Sequence, residues 1–364
     1  MKNNLIVIPF CTLVLVMVCT LSHAQSIEIK HTSIIDSLGK IYQESPGFTV
    51  LIGQDQEVLY KNAYGLANYE LNVHLKTNHS FAIGSLSKQF ISIAILKLVE
   101  EGEISLDDKV INYLKWFQTR ERDNITIEHL LTHTSGVKDF FTNEDFVDQF
   151  IQPFSRENMM KYLSKEAGFE SLPGDDYKYS NAGYVYLTLI IEEVTNRNIE
   201  EYMQENIFIP LDLKDTYWGS PNSLHKGNVT GYKVTRDGKQ TLSRESYLHQ
   251  NLYWVLGAGA IFSSVEDMFK WIVSLTNYEL INKESLDLAL KPYRLNNGNY
   301  TNYGFGFEIK TENNQKVITH SGMINGFQSN MIFFPDTKLF GIAISNRMDF
   351  APNFIYDVVK ANLN

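Results

Sequence analysis

Phe81-Ala82-Ile83-Gly84-Ser85-Leu86-Ser87-Lys88-Gln89-Phe90-Ile91-Ser92-Ile93-Ala94-Ile95-Leu96-Lys97-Leu98-Val99 is the segment from which the architecture can be read. Phe81-Ala82-Ile83 is a short apolar strand, and Gly84 turns it into a helix. Apolar residues fall on every face of that helix, which places it inside the protein. A lysine in its first turn is expensive to bury unless something uses it. Ser85 and Lys88 stand at i and i+3, on one helical face and within reach of a shared proton. A hydroxyl beside a desolvated amine is a route to a serine nucleophile that needs no histidine.

Upstream, Ile29 to Glu44 reads as an amphipathic helix. Phe48 to Ile52 and Glu57 to Tyr64 read as two strands of a hairpin. Downstream, the patterns are mostly helical: Thr126 to His133, Arg156 to Lys165, Ala182 to Thr195 and Ile199 to Ile207. From Tyr303 the texture changes to short strands, Gly304 to Lys310, Lys316 to His320, Phe327 to Phe334 and Leu339 to Ser345. Turn residues such as Asn325-Gly326 and Pro335-Asp336 separate them. Asn353 to Ala361 closes the chain as a helix. These patterns predict an α+β fold: one antiparallel sheet built from both ends of the chain, flanked by helices, with a helical lobe between. The α/β lobe takes in about 28–105 and 255–364, and the helical lobe about 106–254. The groove between lobes is the natural place for a site.

The chain has 364 residues, 44% of them apolar, enough for a sizeable core. The first 24 residues read as a secretory signal peptide. Lys2 gives a positive start, Leu5 to Leu21 is a mostly apolar run broken by Pro9, and Ser22-His23-Ala24 places small residues at −3 and −1 of a cut before Gln25. A spanning helix wants about 20 apolar residues, so the run favours a cleaved leader over an anchor. Export to the periplasm or beyond is the expectation. Both cysteines, Cys11 and Cys19, lie in the leader, so the remaining 25–364 carries no disulfide or thiolate chemistry. The bulky Val18 argues against lipid attachment at Cys19. The net charge is −10, and −11 without Lys2, with 31 basic residues against 42 acidic. Such a chain is a poor ligand for nucleic acid or an anionic membrane.

A Ser-x-x-Lys alone carries little weight, because the chain holds four: Ser37–Lys40, Ser85–Lys88, Ser135–Lys138 and Ser223–Lys226. Only Ser85 follows a strand and opens an apolar helix. A second candidate is Tyr179-Ser180-Asn181, which follows the polar turn Pro173-Gly174-Asp175-Asp176 and precedes an apolar helix. A phenol beside a lysine ammonium is expected to lose its proton more easily and to serve as a general base. A third is His320-Ser321-Gly322, at the end of a predicted strand. A strand edge there can offer a backbone N–H to an oxyanion, and Gly322 lets a substrate approach the backbone. His129 and His133, four apart, have zinc-ligand spacing, but no third ligand is apparent and no metal or other cofactor is expected. No Gly-x-Ser-x-Gly elbow, phosphate-binding loop or dinucleotide fingerprint occurs.

Taken together and in this order, Ser85-Leu86-Ser87-Lys88, Tyr179-Ser180-Asn181 and His320-Ser321-Gly322 resemble the three motifs of the serine β-lactamase and penicillin-binding protein superfamily. The Tyr-x-Asn form is similar to the class C β-lactamase branch, with its D,D-carboxypeptidases, D-aminopeptidases and esterases. Leu130-Leu131-Thr132-His133-Thr134-Ser135-Gly136 and Gly257-Ala258-Gly259-Ala260 extend the resemblance. It implies a β-lactamase/transpeptidase-like fold and an acyl-enzyme on Ser85. Lys88 and Tyr179 would share the proton work, and Asn181 would bind the acyl side of the substrate. The backbone N–H groups of Ser85 and Met323 would form the oxyanion hole. His320 stands where class C β-lactamases have lysine, which argues against strong β-lactam hydrolysis. The resemblance therefore implies a small peptide, amide or ester substrate, a peptidoglycan stem peptide among them. A D-Ala-D-Ala carboxypeptidase-like or D-amino-acid peptidase leads. An esterase, a weak β-lactamase and a non-catalytic wall-peptide binder are the alternatives.

Overall fold

The computed structural model describes residues 29–117, 124–142, 159–160, 163, 168–220, 224–234, 240–242 and 252–363. The predicted leader with Cys11 and Cys19 lies outside the described residues, as do most of Arg156–Lys165 and of the segment 139–155.

The strands that shape the site are β1 (Phe48–Gln54), β2 (Glu57–Tyr64), β3 (Phe81–Ala82), β4 (Tyr217–Trp218), β5 (Ile261–Ser263), β6 (Glu308–Glu312), β7 (Gln315–Ile324), β8 (Phe327–Phe334) and β9 (Leu339–Ser345). Six of them form one antiparallel sheet in the order β6-β7-β8-β9-β1-β2, so strands from both ends of the chain meet where β9 pairs with β1. A separate small sheet, β3-β5-β4, lies beside the turn that carries Ser85. The principal helices are α1 (Thr32–Ile41), α2 (Ser87–Glu100), α3 (Ile127–Leu131), α4 (Asn181–Thr195), α5 (Val265–Thr276) and α6 (Phe354–Lys360).

Every residue of β9 is buried, because helices cover both faces of the sheet. On one face, Ile35 of α1 and Ile355, Val358 and Val359 of α6 pack with Phe48, Val50 and Ile52. On the other, Phe269 of α5 lies against Phe340, ring centroids 5.5 Å apart. The large core on that side takes in α2 and α4. In α2, Ser87 through Leu96 are all buried, as the all-round apolar pattern predicts. Its polar members are matched. Trp271 Nε1 donates to Gln89 Oε1 at 3.1 Å, and Ser92 meets the Tyr184 hydroxyl at 3.2 Å.

Three elements differ from the sequence expectation in ways that matter for the site. Gly84–Leu86 is a 3-10 turn, so Ser85 sits just before α2 rather than within it. The α3 helix stops at Leu131, and His133 takes a left-handed conformation, φ 58°. The chain therefore bends under the Tyr179 segment instead of continuing as a helix. Strand β7 does not end at His320 but runs to Ile324, because β8 pairs with it as far as Ile324↔Phe327. Its other neighbour, β6, reaches only Thr319. Beyond that point no described strand pairs with this edge of β7, and the edge faces the Gly84 turn.

Candidate active site

Ser85, Lys88, Tyr179 and Asn181 converge where the Gly84 turn, α2 and the start of α4 meet. Lys88 Nζ lies 3.0 Å from Ser85 Oγ, 2.9 Å from Asn181 Oδ1 and 2.8 Å from the Ala258 carbonyl oxygen. The Tyr179 hydroxyl also comes near Ser85, close enough for the serine to lower its proton affinity. Ala258 is delivered by the Gly257–Gly259 stretch, which lies flat on two helices. A Cβ on Gly257 would meet Thr188 Oγ1 at 2.4 Å and Ile91 Cγ1 at 2.5 Å, and its N–H donates to Thr188 at 3.0 Å.

Lys88 is fully buried. Burial disfavours its charge and pulls its pKa down to about 7, while the Asp139 carboxylate partly offsets this by favouring the ammonium. The amine therefore titrates near neutrality. Asn181 Oδ1 and the Ala258 carbonyl can only accept, so each takes one N–H from Lys88. A neutral amine has two such protons and one lone pair. With both protons committed, the lone pair points at Ser85 Oγ. Deprotonation thus converts Lys88 from a donor into an acceptor for the serine proton.

Tyr179 departs from expectation. Burial raises its pKa above the ordinary phenol value, and the nearby Ser85 hydroxyl offsets this only in part. Tyr184, Tyr177 and Asp139 add to the rise. The phenol oxygen lies deep among protein atoms, although 37% of the residue is open at the groove mouth. A nearby ammonium was the expected cause of an easy phenolate, but Lys88 itself tends to neutrality. Tyr179 is a proton-bearing phenol, and Lys88 is the better base. His133 supports the ring from beneath at a centroid separation of 4.2 Å. Its Nδ1 accepts the Ser180 N–H at 3.1 Å, which ties the Tyr179-Ser180-Asn181 turn to the α3 segment.

His320 is buried on β7. Its Nδ1 lies 2.7 Å from the Ser321 carbonyl oxygen, which only accepts, so Nδ1 carries the proton. Nε2 then accepts from the Tyr303 hydroxyl at 2.8 Å. Burial, with help from the Lys88 charge, pushes His320 down to about 3, so it is neutral at physiological pH. Gly322 has a different role from the one expected. A Cβ there would meet the Ile83 carbonyl oxygen at 2.0 Å and Ser329 Oγ at 2.3 Å. The missing side chain makes room for the nucleophile turn, not for a substrate. Gly84 mirrors it at φ 55°, where a Cβ would lie 2.8 Å from the Met323 nitrogen. The Met323 backbone N–H is thereby held beside the Ser85 turn.

A cavity of about 200 Å³ opens on Ser85, and Asn181 and Met323 line it with Phe141, Leu252, Val255, Ala258, Ile324 and Met348. Most of this lining is apolar, and no lysine or arginine belongs to it among the described residues. Two larger surface hollows among the described residues do not reach Ser85, although His320 and Ser321 line one of them. Sequence reasoning missed Asp139, Tyr303 and the Ala258 carbonyl. Asp139 stands three residues after the Leu130–Gly136 motif, a signal that was available; a backbone carbonyl has none. His129 and His133 do not converge as a metal pair, since each spends Nδ1 on a backbone N–H, of Thr126 and Ser180 respectively.

A serine hydroxyl held against a buried amine, on an α+β scaffold of this topology, defines a serine hydrolase. The chain belongs to the Beta-lactamase family, whose model matches residues 34–361. Penicillin-binding protein 4* of Bacillus subtilis (strain 168) is 30% identical over 336 residues, covering 86% of this chain and 71% of that protein. Other curated relatives are longer still, and the chain spans 61% of their length. Among solved structures, the octameric penicillin-binding protein homologue from Pyrococcus abyssi superposes with a TM-score of 0.76 at 26% identity, over 91% of this chain and 75% of that one. The D-amino acid amidase from Ochrobactrum anthropi SV3 shares the fold, with a TM-score of 0.74 at 21% identity, over 91% of this chain and 98% of that one.

Proposed function

We propose that this protein cleaves small peptides or amides of D-amino acid character through an acyl-enzyme on Ser85. The observation that carries this reading is the Lys88 amine, buried, near-neutral and 3.0 Å from the Ser85 hydroxyl. Ser85 Oγ attacks the substrate carbonyl and gives its proton to the Lys88 lone pair. The oxyanion is received by the backbone N–H groups of Ser85 and Met323. The Tyr179 hydroxyl passes its proton to the leaving group as Lys88 restores it, so no free phenolate forms. Water then enters, and the same groups run in reverse to release the acid and regenerate Ser85.

The substrate class rests on the lining of the groove. Among the described residues, a neutral His320 and an apolar cavity offer no cation to a terminal carboxylate. Within the peptidase reading, this favours an uncharged leaving side, such as an amide, over the carboxypeptidase. The structural neighbour that is a D-amino acid amidase agrees with that choice. An esterase with the same residues remains the second reading, since the apolar cavity suits an acyl ester equally. Delivery outside the cytoplasm, through the leader at residues 1–24, belongs to the same proposal.

The test is labelling with a fluorophosphonate and a labelled penicillin, followed by peptide mapping, and then turnover of D-aminoacyl amides against p-nitrophenyl esters. An adduct on Ser85, lost in Ser85→Ala, with D-amide cleavage supports the reading. Ester turnover without amide cleavage favours the esterase. An unlabelled Ser85 overturns both.

A further inference from the structure

Asp139 touches no part of the chemistry directly, yet it closes a chain of contacts that ends on the nucleophile. Asn181 Nδ2 donates to Asp139 Oδ2 at 2.9 Å, and Asn181 Oδ1 accepts from Lys88 Nζ at 2.9 Å. A side-chain amide has two ends of similar shape, and its neighbours decide which way it faces. A carboxylate only accepts, so Asp139 takes the NH2 end and leaves the oxygen facing Lys88. Were the amide reversed, its NH2 would oppose the Lys88 N–H, and the Lys88 lone pair would be drawn away from Ser85.

We propose that Asp139 is a positioning residue: it fixes the orientation of the Asn181 amide and thereby aims the lone pair of Lys88 at Ser85. The proposal rests on the acyl-enzyme reading above. Asp139 is half-buried on the segment after the Leu130–Gly136 motif, and only Asn181 stands between it and Lys88 in this chain of hydrogen bonds. It also acts through charge. The groups facing Lys88 are Ser85 on its own turn, Tyr179 and Asn181 at the start of α4, Tyr184 within α4, His133 after α3 and His320 on β7. The tyrosines bear their protons and the two histidines are neutral. Asp139 is then the anionic partner that favours the Lys88 ammonium.

Two substitutions separate the two effects. Asp139→Asn keeps an acceptor oxygen and removes the charge; Asp139→Leu removes both. The Lys88 ionisation is followed directly by NMR of protein carrying 13C-labelled lysine, with Lys88→Met assigning the signal. Ser85 labelling by a fluorophosphonate is followed against pH in parallel. In Asp139→Asn the Lys88 midpoint is expected to fall by about half a pH unit or more, and the acid limb of labelling to fall with it, with the plateau rate kept within a few-fold. In Asp139→Leu the plateau is expected to fall about tenfold or more, while thermal unfolding shows the fold intact. A merely structural residue would lower stability without moving the Lys88 midpoint. An unmoved midpoint in Asp139→Asn, or an unchanged plateau in Asp139→Leu, overturns the proposal. If Ser85 is unreactive in the unmodified protein, the acyl-enzyme reading fails by itself. The Lys88 midpoint, and the Asn181 orientation in a crystal structure of Asp139→Leu, still decide the positioning claim.

Discussion

Gly322 and Ile83 touch backbone to backbone, so closely that a Cβ on Gly322 would stand 2.0 Å from the Ile83 carbonyl oxygen. The same carbonyl accepts a hydrogen bond from Ser329 Oγ at 2.8 Å. Strand β7 and the nucleophile turn are thus one unit, and the Met323 N–H owes its place beside Ser85 to that contact. Gly322→Ala forces the Ile83 backbone and the Ser329 side chain away, and neither obstacle is the tip of a long flexible side chain. The expected cost is about 1–3 kcal/mol or more in stability, read as a lower unfolding temperature. Ser85 labelling should fall further than the loss of folded protein accounts for. A variant that keeps both stability and labelling would show that the strand can move away freely.

On the proposed acyl-enzyme reading, Lys88 sets the acid limb of activity. With a pKa of about 7 it is protonated below neutrality, and its third N–H then points at Ser85 in place of a lone pair. Activity on an uncharged substrate is expected to rise through pH 7 and level off above it. Lys88→Arg stays charged at every accessible pH and should be inactive throughout. Lys88→Met should be equally inactive. An acid limb centred near pH 4 or 5 would point to a carboxylate as the base instead.

Tyr179→Phe removes one oxygen and keeps the ring against His133. The phenol holds its proton tightly, so its loss removes the donor to the leaving group rather than the base. Turnover of an amide, whose nitrogen must be protonated to depart, is expected to fall about 10²–10⁴-fold. An activated ester leaves without that help, so its acylation should suffer much less. Equal losses for both would assign Tyr179 to activation of Ser85 itself.

The large features were legible because they are written in patterns that only one burial scheme satisfies. An α2 apolar on every face can only be interior, and the Ser85–Lys88 spacing follows from helix geometry. The antiparallel sheet drawn from both chain ends was legible for the same reason, since the strand patterns cluster there. What stayed hidden depends on partners distant in sequence. Strand β7 runs past His320 because β8 pairs with it, and nothing local to Ser321 or Gly322 says so. Gly322 read as substrate clearance, but the neighbour that needs the space is Ile83, more than two hundred residues away. The Tyr179 proton affinity is set chiefly by depth, with Tyr184, Tyr177 and then Asp139 adding to it, and a motif records none of these. Asp139 was passed over because its links to Lys88, a hydrogen-bond chain through Asn181 and a charge acting across space, join residues far apart in sequence.

His320 couples stability to acid. Its folded pKa is about 3, against about 6.5 for an exposed imidazole. Between those values the unfolded chain binds a proton that the folded one refuses, so the protein loses stability as pH falls from 6.5 toward 3. By that linkage, the loss attributable to this residue is about 2 kcal/mol by pH 5. His133, also buried and held neutral, acts in the same direction. His320→Gln keeps polar atoms near Tyr303 and Ser321 but has nothing to titrate. The gap in unfolding free energy between the original protein and this variant should therefore shrink, or reverse in the variant's favour, as pH falls from 7 to 5. Groups common to both cancel in that difference. A gap that stays constant across the window would mean that His320 takes up a proton in the folded state. It would then supply a cation beside the groove, and the preference for an uncharged leaving side would lose its basis.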